Sequence, residues 1–116
     1  MAEPFPLFHW SPSSRYKGIC RYGLKPGCWS TDRLWRPPYV AFAGWPSLAW
    51  ALSGGGPARD LDHPSWDLWM VWTSRVRGYE ELRLFDGDDG ALEYRVYERI
   101  YKRDVWYVAT RQAAHG

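Results

Sequence analysis

Apolar residues occur in short runs along the chain, and their spacing predicts six strands and two helices. The alternation is clearest where Leu92, Tyr94 and Val96 occupy every second position, which is typical of a strand with one buried face. The predicted strands cover residues 5–10, 39–42, 66–73, 80–85, 92–98 and 105–109. Strands mixed with short helices predict an α+β fold built on a small mixed or antiparallel sheet.

The first helix is expected over residues 15–22, because Ser13 or Ser14 can cap its beginning and Gly23 can end it. Its apolar positions near one face are Tyr16, Ile19, Cys20 and Tyr22. The second helix is expected over 46–52, with Pro46 near its first turn. The intervening stretches predict loops at 25–38 and 53–64, an acidic turn at 86–90 and a frayed tail from residue 111.

Length and charge limit the classes of protein that the chain can represent. At 116 residues, the sequence predicts one domain with its core within about residues 5–110. Fifteen Lys and Arg residues against 13 Asp and Glu give a net charge of +2, too balanced to indicate nucleic-acid binding by charge alone. The basic residues in question are Arg15, Lys17, Arg21 and Lys25 on or near the first helix, and Arg99, Lys102 and Arg103 near the end. We favour a solvated surface for them over a phosphate-contacting patch.

Aromatic residues are unusually frequent, with nine Trp, eight Tyr and four Phe. Roughly two thirds of them are expected in the core, where they bury much area per position, which leaves a minority for stacking on a ligand. Two Cys do not form a disulfide framework. The first residues do not have the pattern of a secretory leader, and no stretch reaches about 18 apolar residues, so we expect a soluble cytoplasmic protein with reduced thiols and no membrane partner.

Three features of the sequence resemble known metal- or phosphate-binding motifs, but each departs from the pattern that the motif requires. The acidic turn does not place ligands as an EF-hand requires. A zinc site from His9, Cys20, Cys28 and His63 is conceivable, but the spacing of the cysteines fits no common zinc finger, and no metal is expected. The triple glycine at 54–56 follows a helix and lacks the Lys-Ser/Thr of a phosphate-binding loop, which favours a linker.

His9 is the most informative residue, because it lies at the end of a strand just before a helix, where side chains and backbone groups can converge on a ligand. The alternative is a half-buried ring beside Trp10 with no ligand.

Four segments together resemble the small His-Tyr-Glu members of the ADP-ribosyltransferase superfamily. They are 7–11 (Leu-Phe-His-Trp-Ser), 18–24 (Gly-Ile through Gly-Leu), 39–42 (Tyr-Val-Ala-Phe) with the alanine-bearing helix after it, and 93–97 (Glu-Tyr-Arg-Val-Tyr) followed by Ile100. The resemblance spans about residues 7–109. It implies a split sheet, NAD as the cofactor, and transfer of ADP-ribose to a protein, a nucleic acid or a small molecule, as in a phage, toxin or defence effector.

The resemblance also implies roles for individual residues around NAD. His9 would donate to a ribose hydroxyl, and the backbone of Trp10 would pair with the nicotinamide amide. Ser11 would touch the ligand or hold the strand end. Tyr39 would border the nicotinamide ring, with Phe42 as the alternative residue for this second motif.

Glu93 is the expected catalytic carboxylate in this interpretation, with Glu80, Glu81 and Glu98 as rivals. Cleavage of the nicotinamide–ribose bond passes through an oxocarbenium-like state, which a nearby carboxylate stabilises.

Three other functions remain open. The first is a catalytically inactive nucleotide- or nucleic-acid-binding module of the same fold. The second is a relative that removes an RNA 2′-phosphate with NAD, and the third is an interaction protein with an aromatic surface. The orientation of Glu93 relative to the cleft at His9 separates the first of these from an enzyme. The acceptor, the oligomeric state and the host are not determined by the sequence.

Overall fold

A computed structural model describes residues 3–27, 37–52, 63–83 and 91–112. Within them the six predicted strands and both predicted helices are confirmed. The strands are β1 (Pro6–Pro12), β2 (Val40–Ala43), β3 (Ser65–Trp72), β4 (Glu80–Arg83), β5 (Leu92–Val96) and β6 (Trp106–Gln112). The helices are α1 (Tyr16–Tyr22) and α2 (Pro46–Leu52), and single 3-10 turns lie at Ser13–Arg15, Thr73–Arg75 and Lys102–Asp104.

The strands form one sheet in the order β4-β5-β2-β1-β3-β6, and all paired neighbours among the described residues are antiparallel. All seven residues of β1 pair with β3, whereas β1 and β2 share the single pair Phe8 and Ala43. The chain is therefore an α+β domain with a continuous antiparallel sheet that narrows in its middle. The expected split of the sheet is not seen, because the six strands form one sheet in which β1 and β2 remain paired at this narrow junction.

Hydrophobic residues on one face of the sheet form the main core together with α1. Because side chains alternate between the faces of a strand, Leu7, Phe42 and Val96 point to this same side. Ile19 of α1 packs against them, as do Leu24 and Ile100 from flanking segments. The elements on this side therefore fix where α1 lies over β1 and β2.

Helix α2 covers the opposite face with a group of tryptophans. The indole N–H of Trp10 donates to the Pro46 carbonyl at 2.9 Å, where α2 begins. The ring of Trp50 meets the edges of Trp10 and Trp66, each with a centroid distance of 5.4 Å. Such edge-to-face contacts stabilise the packing beyond the area that they bury.

The expected serine cap of α1 is not seen. Neither Ser13 nor Ser14 caps the helix with its side chain, because both lie in the preceding 3-10 turn and the Ser13 hydroxyl donates to Asp67 at 2.9 Å. Only Ile19 is buried among the residues of the helix, whereas the side chains of Tyr16 and Tyr22 are exposed. A helix of seven residues is too short to bury a broad apolar stripe, so its aromatics remain at the surface.

Several predicted segments lie outside the described residues. They are most of the loop at 25–38, the glycine-rich stretch at 54–56, the acidic turn at 86–90 and the end of the tail at 113–116. Among the helices that the structure describes, none has the length and apolar character needed to cross a bilayer.

Gly23 ends α1, as predicted, and permits a close crossing of two backbones. Its φ is 83° and its ψ is −160°, a region that is almost restricted to glycine. A Cβ at this position would lie 2.0 Å from the Ile100 carbonyl oxygen. The next residue, Leu24, exchanges two backbone hydrogen bonds with Ile100, of 2.8 and 2.9 Å.

We expect Gly23→Ala to lower the free energy of unfolding by at least about 3 kcal/mol, because strain in φ and ψ adds to a clash with immobile backbone. Chemical denaturation followed by far-ultraviolet circular dichroism measures this change. The control is Gly18→Ala in α1, where nothing lies within 4 Å of the added methyl group. A loss at Gly23 no larger than at Gly18 would contradict the close crossing.

Candidate functional site

A cavity of about 570 Å³ lies between α1 and the narrow junction of β1 and β2. Its volume is within the range of small-molecule binding sites. It opens on the same side of the sheet as the main core, beneath the C-terminal end of α1. The polar side chains among its lining residues belong to His9, Ser11, Ser14, Arg15, Tyr22 and Lys25.

His9 is held in one orientation by the backbone of the neighbouring strand. Its Nδ1 lies 2.8 Å from the Ala41 carbonyl oxygen, and its ring lies 5.6 Å from that of Phe42. A carbonyl oxygen only accepts hydrogen bonds, so Nδ1 carries the proton. The other ring nitrogen, Nε2, has no hydrogen-bond partner among the described residues and is an acceptor whenever the ring is neutral.

The surroundings of His9 favour the neutral ring. Burial lowers the pKa of His9 below its ordinary value, and the nearby charge of Arg15 lowers it further, although the hydrogen bond to Ala41 opposes both effects. At neutral pH the imidazole therefore presents an acceptor and no positive charge.

Among the described lining residues, the charge of the cavity comes from Arg15 and Lys25. Arg15 immediately precedes α1, and Lys25 follows the crossing of Leu24 over Ile100. No Asp or Glu is found among the described residues that line this cavity. Two cations with a neutral imidazole and serine hydroxyls suit a ligand that carries both an anion and hydrogen-bond donors.

The other expected ligand-binding residues are placed in different ways. Ser11 is 3% exposed and lines the cavity, two residues along β1 from His9. Tyr39 also contributes to the lining, but its ring packs on the guanidinium of Arg95, 4.2 Å from the ring centroid. Phe42 lies in the core behind the His9 ring and does not line the cavity.

Trp10, for which the resemblance implies a role of the backbone, has its side chain on the face of the sheet opposite this cavity. It follows His9 in β1, so its side chain points to the opposite face, where it packs against α2. It is not among the lining residues.

The expectation that Glu93 shares a cleft with His9 is not met. Phe8, Ala43 and Glu93 are partners across neighbouring strands, and cross-strand partners project from the same face. His9 adjoins Phe8 in β1 and projects from the other face, as its contact with Phe42 confirms. The sheet therefore separates the Glu93 carboxylate from the imidazole.

Glu93 instead accepts a hydrogen bond from the Arg95 Nε in a largely buried ion pair. Burial disfavours the charged form of Arg95, but the hydrogen bond and charge of Glu93 outweigh it and raise the pKa of Arg95. The pair and the ring of Tyr39 lie together on the face opposite His9. Breaking such a pair leaves an uncompensated charge in the interior, which gives Glu93 a structural role.

None of the rival carboxylates reaches the cavity either. Glu80 accepts a hydrogen bond from the Tyr97 hydroxyl at 2.7 Å, and Glu81 is exposed on the edge strand β4. Glu98 lies 3.6 Å from Arg77 at the surface. The cavity at His9 has no catalytic acid among the described residues.

A metal site is likewise not assembled among the described residues, where no group of three His, Cys, Asp or Glu side chains could hold an ion. His9 uses Nδ1 for the Ala41 carbonyl, and Cys20 is an exposed free thiol. Cys28, the other cysteine of the zinc alternative, lies outside the described residues.

Comparison of the chain with protein-family models, with curated proteins and with solved structures finds no match. The resemblance to ADP-ribosyltransferases therefore depends on the short motifs of the sequence alone.

The basic side chains of the cavity are the functional candidates that sequence reasoning undervalued. Arg15 and Lys25 were assigned to a solvated surface, since their charges are unremarkable in a chain with a net charge of +2. A usable signal was present, because both residues flank the helix that follows His9. The signal could not be interpreted from the sequence, because the packing of α1 on the sheet decides whether Arg15 and Lys25 lie at the cavity.

We expect His9 to make stability depend on pH below its ordinary pKa of 6.5. The pKa of His9 is lower in the folded state, so the unfolded chain binds the proton first as pH falls. The free energy of unfolding therefore decreases below pH 6.5 and is unaffected by His9 above it. The slope due to this one proton is at most about 1.4 kcal/mol per pH unit.

Urea denaturation from pH 5 to pH 8 checks this, with His9→Gln as the variant, because the glutamine amide can still donate to Ala41 while it does not titrate. His63, whose ring lies 5.4 Å from Trp66 on the opposite face, supplies the matched control His63→Gln. A pH dependence that is the same in the parent and in His9→Gln would contradict the assignment.

Proposed function

We propose that the protein is a nucleotide-binding module whose ligand occupies the cavity at His9. The observation that carries this proposal is the combination of a fixed acceptor, His9 Nε2, with Arg15 and Lys25 in a cavity whose described lining residues include no carboxylate. A ribose hydroxyl is a suitable donor for Nε2, and a phosphate is a suitable partner for the two cations.

Further side chains of the cavity fit the same class of ligand. The hydroxyls of Ser11 and Ser14 can bond to sugar or phosphate oxygens, and the ring of Tyr22 offers a partly exposed surface on which a base can stack. NAD is the nucleotide that the family resemblance favours, and it carries the ribose and phosphate groups that the cavity suits. The proposal includes a cytoplasmic location, where nucleotides are abundant.

Transfer of ADP-ribose from NAD is not part of the proposed function. Stabilisation of an oxocarbenium-like state needs a carboxylate beside the ribose, and Glu93 lies across the sheet from His9. The proposal is therefore a binding module without Glu93-dependent catalysis. Such a module does not require an acceptor for ADP-ribose.

Isothermal titration with AMP and with NAD tests the proposal. We expect both to bind, and Arg15→Gln and Lys25→Gln each to weaken binding by about tenfold, the equivalent of about 1.4 kcal/mol for a lost charged hydrogen bond. His9→Gln should weaken binding to a similar extent. Lys17→Gln is the control, since Lys17 is an exposed residue of α1 that does not line the cavity.

Absence of binding at millimolar nucleotide, or affinities that do not respond to Arg15→Gln and Lys25→Gln, would refute a nucleotide site here.

Glu93→Gln distinguishes binding from transfer. We expect the affinity for NAD to change by no more than about twofold, because the carboxylate is on the other face, while loss of the ion pair with Arg95 lowers the free energy of unfolding by about 2 kcal/mol. Titration calorimetry and denaturation measure the two effects. Release of nicotinamide from NAD by the parent protein, abolished by Glu93→Gln, would show that the protein is an enzyme after all.

A further inference from the structure

A second cavity, of about 450 Å³, lies beside the first, between the segment after β3 and the chain that follows β5. Its charged lining residues are Arg75, Arg77, Arg99, Arg103, Glu98 and Asp104. Four guanidinium groups against two carboxylates leave it a net charge of +2.

The carboxylates of the second cavity neutralise it only weakly. Arg77 and Glu98 approach to 3.6 Å, but their side chains are 86% and 59% exposed. Arg103 and Asp104 are 3.9 Å apart. The exposed Arg77–Glu98 pair is nearly neutral in energy, so an anion of higher charge density can replace Glu98, whereas the Asp104 side chain is only 17% exposed.

The two cavities are separated by one crossing of the backbone. Leu24 lines the first cavity and Ile100 lines the second, and the two residues are hydrogen-bonded to each other. Arg99 extends across this boundary, where its Nε and Nη2 donate to the Tyr22 carbonyl at 3.0 and 2.8 Å. A ligand that extends out of the first cavity on this side therefore meets the guanidinium groups of the second.

Two exposed tyrosines, Tyr22 and Tyr101, lie close to the basic side chains of the two cavities. Tyr22 is 45% exposed, and Lys25 lies 5.1 Å from its ring centroid. Tyr101 is 55% exposed, with Arg99 and Arg103 at 5.5 and 5.6 Å from its ring centroid. Exposed aromatic rings that alternate with cations are the surface on which single strands of nucleic acid bind, because bases stack on the rings while phosphates pair with the charges.

We propose that the ligand is the end of a single-stranded nucleic acid. Its terminal nucleotide occupies the cavity at His9, the adjoining base stacks on the exposed tyrosines, and the next phosphates bind at Arg75, Arg77 and Arg103. This inference rests on the proposed function, because the nucleotide proposed for the cavity at His9 is here the terminal nucleotide of the strand. A paired duplex does not suit the surface, since its bases have no free faces for Tyr22 and Tyr101.

Fluorescence anisotropy with a labelled single strand of about 12 nucleotides, as RNA and as DNA, tests the inference. The variant is Arg75→Gln with Arg77→Gln. We expect binding to weaken about tenfold or more, and the slope of log affinity against log salt to fall by about 1.4, or 0.7 for each phosphate contact removed. The affinity for AMP, titrated in the same preparations, should remain within about twofold because neither arginine lines the first cavity.

The matched control removes two exposed cations that line neither cavity, in Lys17→Gln with Arg83→Gln. It should leave strand binding nearly unchanged. Tyr101→Leu should weaken binding of the strand by at least about fivefold, the lower limit for loss of one stacked base, without weakening binding of inorganic polyphosphate. Circular dichroism verifies that each variant is folded.

The outcomes separate the two proposals. Strand binding that is insensitive to Arg75 and Arg77, while AMP still binds, would overturn the strand inference and leave the nucleotide site in place. Absence of AMP binding with an intact response to Arg75 and Arg77 would overturn the nucleotide site and, with it, the placement of the terminal nucleotide at His9, and would leave only the binding of the strand at the second cavity. Polyphosphate, a phosphopeptide or phosphatidylserine vesicles that compete as well as the strand at equal phosphate concentration would overturn the inference in favour of a general anion surface.

Discussion

The hydrogen bond from His9 to the Ala41 carbonyl spans the place where the two parts of the sheet are joined by one backbone pair. Elsewhere in the sheet, backbone hydrogen bonds along several residue pairs hold neighbouring strands together. Between β1 and β2, a side-chain hydrogen bond adds to the single backbone pair. The same bond settles the chemistry of the ring. It places the proton on Nδ1 and leaves Nε2 as an acceptor, while burial and Arg15 favour the neutral imidazole. Sheet integrity and the proposed recognition of a nucleotide thus involve the same side chain.

The alternation of side chains along the strands decides what kind of site can form around this histidine. Glu93 is in register with Ala43 and Phe8, so it belongs to the opposite face however close it is along the sheet. A slip of one residue would bring it to the cavity side, but it would also exchange the two faces of β5 and put the charged side chains of Glu93 and Arg95 into the hydrophobic core in place of Tyr94 and Val96. The hydrophobic core therefore excludes the carboxylate from the site, and a cavity of cations and hydroxyls remains.

A second constraint is the crossing of Leu24 and Ile100, which Gly23 permits by adopting a conformation that other residues avoid. It brings the end of α1 against the chain that follows β5. Basic residues that are some 75 positions apart in the sequence then surround two neighbouring cavities, as the hydrogen bonds from Arg99 to Tyr22 illustrate. A protein with a net charge of only +2 can in this way concentrate positive charge on one side.

Periodicity along the chain was sufficient to predict the six strands, the two helices and the α+β class, because hydrophobic spacing and glycine and proline stops are local properties. His9 was also identified as a candidate from its position before α1, and Ser11 from the family resemblance, and both line the cavity. The sequence did not reveal the strand order, the face on which Glu93 lies or the meeting of Tyr22 with Arg99. These depend on register and on contacts between distant segments, which only the packing of the whole chain determines.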